Sequence, residues 1–215
     1  MIMWTVYIPK HNELIEADSI TMDFRVNAVS TAQIIFRDQM TLSTWSWLCD
    51  LFIINDIVQI KYKDKVIFNG FVYHTTSTKT QKDYQLQVTL QDPLGKLAKM
   101  PFQGGFSGRL QELLHNEICV PIGINNRITS NTIIHIYYEK EVTRYSLLFD
   151  ACAIARRQVD PSRFGFYYNH QLNALCELND PKARETLQSL SNTNRISINQ
   201  SYGYIMANVI QVRNY

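Results

Sequence analysis

The sequence predicts an α+β protein, in which a nearly all-β first half precedes a half that mixes helices and strands. Three observations support this prediction. Apolar and polar residues alternate in several segments before residue 91, a glycine-rich stretch follows at 101–108, and residues 144–158 have helical spacing. A period of two is typical of half-buried strands, whereas apolar residues three and four positions apart indicate one face of a helix.

The clearest segment is a predicted antiparallel meander over residues 56–90. Its first strand alternates through Val58 and Ile60, a tight turn is expected at 63–64, and the third strand alternates through residues 84–90. Gly70 interrupts the middle strand, 65–74, which predicts a bulge or the close approach of another backbone. That strand has apolar side chains on both faces, so both should be covered: Val66, Phe68 and Val72 on one, and Ile67, Phe71 and Tyr73 on the other.

Three further strands are expected before the meander, over residues 1–8, 20–28 and 31–37. The sheet then has about six strands, a number typical of small barrels and sandwiches. Residues 39–55 are predicted as a long connection that holds Trp45, Trp47 and Phe52. These aromatic side chains either fold back as a lid on the core or form a contact surface for another chain.

The second half begins with a predicted short helix at 92–100, because Asp92 can cap it and Pro93 suits a first helical position. Residues 101–108 are predicted to be a hinge and the domain boundary. Ser107 is expected to cap a helix that runs to about residue 119, and Thr143 to cap the helix 144–158. The other expected elements are strands at 132–138, 164–169, 172–178, 195–199 and 208–213 and a short helix at 180–190.

Composition argues against several classes of function. The net charge of +2 over 215 residues is too small to indicate nucleic-acid binding by charge alone. No apolar run approaches the ~18 residues that a membrane-spanning helix needs. The four cysteines are far apart in the sequence, which predicts structural thiols in a reducing compartment rather than a metal site or a disulfide framework: Cys49, Cys119, Cys152 and Cys176.

No catalytic motif emerges from the spacing of reactive residues. The glycines around Gly104 lack the Lys-Ser/Thr pair of a phosphate loop, and Arg109 stands where glycine would complete a nucleophile elbow. The five histidines have no metal-binding spacing: His11, His74, His115, His135 and His170. We therefore predict that the chain is not an enzyme and has no catalytic residue, cofactor or metal. The possibility of a glycosidase pair, whose two carboxylates need to be close only in space, stays open.

The order of several segments resembles the first domain of phage tail baseplate hub proteins, which belong with the late control D proteins and the hub part of contractile injection spikes. The matching positions are Asp56, Val58 and Ile60; Ile67, Phe68, Gly70 and Val72; and Asp92, Leu94 and Leu97. Residues 32–38, the helix at 142–158, the hairpin at 163–178 and the strand from Asn208 continue the likeness. Asn55 replaces the family's usual glycine, and the chain ends where the family's second barrel begins.

The resemblance implies a domain organisation and a structural role. Residues 1–100 would form an antiparallel β-barrel of the tail-tube and hub type, 101–206 a mixed α/β domain, and 207–215 the start of a second, truncated barrel. The chain would be a baseplate hub subunit that joins the tail tube to the spike or tail tip around a central channel. Its partners would be the tail tube protein, the spike or tail-tip protein and itself in a homotrimer, with DNA only passing through. It would reside in the virion tail, after assembly in the bacterial host cytoplasm.

On this interpretation six side chains are candidates for the protein interface: Trp45, Trp47, Phe52, Ile67, Phe71 and Tyr73. The polar rows of the meander would suit a wetted channel wall: Gln59, Lys61, Gln85, Gln87 and Thr89. Two alternatives remain. One is a tail-tip hydrolase that acts on the cell wall through scattered carboxylates or His170, and the other is the hub of a bacterial contractile injection system.

Overall fold

A computed structural model of the chain describes residues 4–37, 41–80, 84–158 and 165–177, together with the backbone of 197–200 and 207–213. The fold is α+β with mostly antiparallel sheets, which confirms the predicted class. Its strands are β1 (Trp4–Ile8), β2 (Glu13–Ile15), β3 (Ser19–Arg25), β4 (Thr31–Phe36), β5 (Ile57–Tyr62), β6 (Lys65–Lys79), β7 (Tyr84–Gln91), β8 (Pro101–Arg109), β9 (Asn125–Arg127), β10 (Ile133–Thr143), β11 (Phe166–Asn169), β12 (Ala174–Glu177), β13 (Ser197–Gln200) and β14 (Ala207–Arg213). Its helices are α1 (Leu42–Leu51), α2 (Leu110–Leu113), α3 (Val120–Ile122) and α4 (Arg144–Gln158), with a 3₁₀ helix (Pro93–Lys99) and a π-helical turn (Leu114–Cys119).

Nine strands form one antiparallel sheet in the order β13-β14-β3-β4-β7-β6-β5-β1-β2. The meander β5-β6-β7 lies within it, and alternate residues of β1, β3, β4, β5 and β7 point into one core. The predicted strands at 1–8, 20–28 and 31–37 correspond to β1, β3 and β4. β14 pairs with β3 in this same sheet, so the start of a second barrel at 207–215 stays a prediction.

The large sheet is strongly curved. Three inter-strand spacings separate β3 from β6, which would place them about 14 Å apart in a flat sheet. The ring centroids of Phe24 on β3 and Phe68 on β6 are nevertheless only 6.0 Å apart. In the part of the chain that the structure describes, no pairing joins the edge strands β2 and β13. The described pairings therefore form a curved sheet and not a closed barrel.

A helix occupies part of the stretch predicted as a long connection, which corrects that expectation. α1 begins after Thr41, whose Oγ1 accepts a hydrogen bond from the Thr44 N–H (3.2 Å). Leu48, Leu51 and the following Phe52 are buried in the core of the large sheet. Their spacing is helical, and burial of this face stabilises a helix rich in residues of modest helix propensity. The helix thus acts in part as the lid that the aromatic content indicated.

The glycine-rich stretch predicted as a hinge is instead strand β8, which pairs with β10 in a two-stranded ribbon. Gly104 and Gly105 lie opposite Tyr138 and Tyr137, and a Cβ on Gly105 would meet the Tyr137 ring at 3.0 Å. Gly105 therefore makes room for an aromatic partner, whereas a Cβ on Gly104 would meet nothing within 4 Å and this residue instead has a φ of +104°, which glycine adopts without strain. Ser107 lies inside this strand, and the following helix starts at Leu110 without a side-chain cap, so the cap prediction was wrong.

The remaining elements form a second core beside the large sheet. α4, the 3₁₀ helix, the β8–β10 ribbon and the three-stranded sheet β11-β12-β9 pack around it. Two predicted caps are confirmed: Asp92 Oδ1 accepts the Leu94 N–H (3.0 Å), and Thr143 Oγ1 accepts the Ser146 N–H (3.1 Å). The predicted hairpin corresponds to β11 and β12. The helix predicted at 180–190 lies outside the described residues.

Replacement of Gly70 by alanine should destabilise the protein by about 2–3 kcal/mol, because the new methyl group overpacks the sheet. A Cβ at this position would lie 2.3 Å from the Gln91 carbonyl oxygen and 2.7 Å from the Phe68 ring. The measurement is the free energy of unfolding in urea. Gly95→Ala is the matched control: its Cβ meets mainly the flexible end of the Gln91 side chain, and it should change stability by less than about 0.5 kcal/mol. Equal stability of the two variants would contradict the close approach.

Candidate protein interface

Exposed apolar side chains gather where α1 ends and β5 begins. Ile53, Ile54 and Ile57 are 48%, 45% and 51% exposed, and Trp47 on α1 is 43% exposed. The intervening turn bonds to β6 through the Asn55 N–H and the Val72 carbonyl (2.8 Å) and through the Val72 N–H and the Asp56 carbonyl (2.9 Å). These bonds place Asn55 and Asp56 opposite Val72, the chain neighbour of Tyr73, which is 47% exposed. We call Trp47, Ile53, Ile54, Ile57 and Tyr73 the rim surface.

The six predicted interface residues fall into three groups. Phe52, Ile67 and Phe71 are buried in the isolated chain. Trp45 is half-buried against β7, where its indole Nε1–H donates to the Gln85 carbonyl (3.4 Å). Trp47 and Tyr73 are open to another chain, and a contact role for any of the six stays a prediction. The three isoleucines of the rim surface were not among the predicted interface residues, although their position on both sides of the polar pair Asn55-Asp56 indicated an exposed turn.

Two bulges in β6 decide which side chains reach the surface. Ile67 is an extra residue opposite β5, since Ile60 pairs with Phe68 and Lys61 with Val66. It therefore joins Phe68 in the core instead of lying on the opposite face as predicted. Tyr73 is likewise an extra residue, opposite β7. Bulges re-aim side chains and are common beside functional sites.

A cleft of about 380 Å³ opens next to Tyr73, between β6 and the 3₁₀ helix. The buried Phe71 ring lies in it, with the Lys96 Nζ 5.2 Å from the ring centroid. Ammonium groups are attracted to the face of an aromatic ring at this range. We call it the rim cleft; its lining residues are Asn55, Phe71, Tyr73, Gln91, Gly95, Lys96, Lys99 and Met100.

His170, named in the hydrolase alternative, is buried at the junction of the two cores. Its ring stacks on Phe68 at 4.4 Å and meets the edges of Phe24 and Tyr168 at 5.1 and 4.8 Å. Its Nδ1 lies 3.0 Å from the backbone nitrogen of Asn69 on β6. Burial lowers the pKa of His170 to about 3, so the ring is neutral at pH 7 and connects the two halves of the fold.

Two other reactive groups lie in contrasting environments. Ser107 Oγ lies 2.8 Å from His135 Nδ1 on the exposed face of the β8–β10 ribbon, and burial raises the pKa of the Cys119 thiol to about 12. Among the residues described, no group of three or more histidine, cysteine, aspartate or glutamate side chains could hold a metal ion. No described helix is both long and apolar enough to cross a membrane.

The fold matches those of solved phage tail proteins, whereas no family model and no curated protein sequence matches the chain. The 43 kDa tail protein of prophage MuSo2 from Shewanella oneidensis has a TM-score of 0.61 and 13% identity over 82% of this chain and 54% of that one. The tail protein from Neisseria meningitidis MC58 has a TM-score of 0.58 and 9% identity over 81% and 49%. The prophage tail protein gp18 from Listeria monocytogenes EGD-e has a TM-score of 0.51 and 8% identity over 82% and 50%.

The chain thus spans about half the length of each of these three tail proteins. The likeness extends over both the large sheet and the second core, since about four-fifths of the chain is covered. It shows that this chain shares its fold with phage tail proteins.

The buried His170 should make the protein sensitive to acid. Because its pKa is about 3 in the folded state and near 6.5 when unfolded, only the unfolded chain takes up this proton between those values. Its contribution to stability is fully present above pH 6.5 and falls by about 1.4 kcal/mol per pH unit below it. His170→Asn, which keeps hydrogen-bonding groups near Asn69 but cannot titrate, should remove this part of the slope. Urea unfolding at several pH values measures it, and identical slopes for the two proteins would contradict a buried neutral imidazole.

Proposed function

We propose that this chain is a structural component of a phage or phage-derived tail, and that it acts as a baseplate hub subunit. In this role it joins the tail tube to the spike or tail tip around a central channel. The observation that carries the proposal is the strongly curved antiparallel sheet with an exposed apolar rim, in a fold shared with solved phage tail proteins. The proposed location is the virion tail, after assembly in the host cytoplasm.

The rim surface supports contact with other subunits. Large apolar side chains that lie together on a surface commonly mark a protein interface, and the five residues of the rim surface are each about half exposed. The edge strand β2 supports assembly in a second way. It is only three residues long and, among the described residues, pairs only with β1, so its other edge can offer backbone groups to another chain. Closure of the barrel and a homotrimeric ring are parts of this proposal.

The outer face of the meander supports a channel-lining role. Gln59, Gln85, Gln87 and Thr89 are half-buried neutral side chains that alternate with core residues. Lys61 lies among them, but its Nζ is 3.7 Å from the centroid of the Tyr7 ring, and this contact holds the ammonium group against the sheet. A wall of amides and hydroxyls releases few counterions from DNA, and the duplex can therefore pass without being retained.

The proposal is non-enzymatic and covers phage tails and bacterial contractile injection systems alike, because both need the same contacts from a hub. A cell-wall hydrolase has less support. Its named candidate, His170, is enclosed by Phe24, Phe68 and Tyr168. A general base must reach the proton that it removes, whereas this imidazole is only 7% exposed.

The rim surface can be tested by Trp47→Glu combined with Ile53→Glu in the host that produces the particle. Truncation of an aromatic hot spot typically costs about 2 kcal/mol or more of binding, roughly 30-fold in affinity, and a buried unpaired carboxylate adds to this cost. We expect the variant to fold, as judged by circular dichroism, but to be depleted from assembled tails in a quantitative immunoblot.

Tyr137→Glu is the matched control, since Tyr137 is an aromatic residue that is 74% exposed on the β8–β10 ribbon, away from the rim surface. It should enter tails as the unsubstituted chain does. The hub proposal fails if the rim variant is incorporated normally, or if antibodies against the chain label no part of the tail.

A further inference from the structure

We infer that the rim cleft binds an acidic segment of a partner protein, with carboxylates at Lys96 and Lys99 and an apolar side chain between Phe71 and Tyr73. This deepens the proposed function by stating the chemistry of one partner. It rests on that proposal only where it identifies the partner as another tail protein.

The cleft has one apolar side and one cationic side. Phe71 forms part of its lining, and Tyr73, displaced outward at the bulge, stands beside it half exposed. A volume of about 380 Å³ is sufficient for a few side chains. The amides of Asn55 and Gln91 also line the cleft, and they can bond to the backbone of an extended segment.

The charge of the cleft is not neutralised within the described chain. Neither Lys96 nor Lys99 forms an ion pair there, and no carboxylate is among the lining residues. The acidic residues next in sequence to lining residues, Asp56 and Asp92, each have another partner. Asp56 pairs with Lys10 at 2.8 Å, and the buried Asp92 accepts the backbone N–H groups of Ser30 and Leu94.

Stabilisation of the 3₁₀ helix is the ordinary role for lysines in its last turn, because cations favour the C-terminal end of the dipole. Here the Leu97 carbonyl already accepts the Met100 N–H at 3.2 Å. The Lys96 ammonium extends over the Phe71 ring of another element, and Lys99 is exposed. Both charges are therefore available to a ligand at the cleft.

A protein segment fits the cleft better than a nucleic acid does. Two lysines would neutralise few phosphates, and phosphate contacts supply most of the non-specific affinity for DNA. The apolar lining also continues into the rim surface, since Ile57 pairs with Phe71 across β5 and β6. A segment bound at the cleft would thus lie along an apolar surface, which has no charged group to contact DNA phosphates.

The test measures binding of a short fluorescent peptide, in which glutamates flank leucine and phenylalanine, to the purified full chain at low salt. Lys96→Glu with Lys99→Glu should weaken binding about tenfold or more, because each close charge pair is lost and replaced by repulsion. Lys63→Glu with Lys65→Glu, at the exposed β5–β6 turn, imposes the same change in net charge away from the cleft. It should alter affinity less than about twofold.

Two further arms separate the possible ligands. A peptide with lysines in place of the glutamates should bind only the Lys96→Glu, Lys99→Glu protein. A short DNA duplex should bind no better to the unsubstituted chain than to the cleft variant. Equal loss of peptide binding in the two double variants, or duplex binding that depends on Lys96 and Lys99, would overturn the inference. The hub test uses different residues, Trp47 and Ile53. If the Trp47→Glu, Ile53→Glu variant is depleted from tails as expected but the peptide does not bind the unsubstituted chain, the cleft inference is refuted and the hub proposal is not.

Discussion

The close approach of β6 to β7 at Gly70 is the contact on which the rest of the structure depends. With no side chain at this position, the Gln91 carbonyl and the Phe68 ring come within reach of the Gly70 backbone. β6 can therefore lie in the middle of a curved sheet and pair with β5 and β7 at once. Its neighbours in sequence then serve three purposes: Phe68 enters the core, Asn69 bonds to the second half of the chain, and Phe71 lines the rim cleft.

Asn69 and His170 join the two cores through a buried polar contact within an aromatic cluster. The Asn69 side chain also donates to the Tyr168 hydroxyl at 2.9 Å, and the Asn27 N–H donates to the Phe166 carbonyl at 2.8 Å. His170 Nε2 has no hydrogen-bond partner among the described atoms, which costs free energy when the atom is buried. The rings of Phe24, Phe68 and Tyr168 enclose the imidazole, and this burial keeps it neutral. The junction is therefore a structural contact, in which the histidine contributes a flat ring that stacks on Phe68 and an Nδ1 that accepts the Asn69 N–H.

The large sheet and the elements beside it present three kinds of surface. The features are an apolar rim, a cationic cleft and a face of amides and hydroxyls on the large sheet, its connections and the 3₁₀ helix, whereas other exposed apolar side chains, such as Tyr137, lie on the ribbon. Such features recognise other macromolecules by area and charge. They follow from one arrangement, because the bulges of β6 send Ile67 inward and Tyr73 outward along the same strand. The proposed hub role and the proposed acidic partner both use this arrangement.

Local patterns in the sequence were sufficient to predict the α+β class, the meander and the caps at Asp92 and Thr143. At Gly70 they left a bulge or a close backbone approach open, and the structure shows the close approach. Each of these predictions depends on local periodicity or on the stereochemistry of one residue. Three other features depend on long-range contacts. Residues 42–51 form a helix because Leu48 and Leu51 cover a core. Residues 101–109 form a strand because β10 pairs with them along the ribbon, where Gly105 leaves room for the Tyr137 ring. The rim cleft likewise forms because β6 lies against the 3₁₀ helix. No local pattern in the sequence encodes the distance between these two elements.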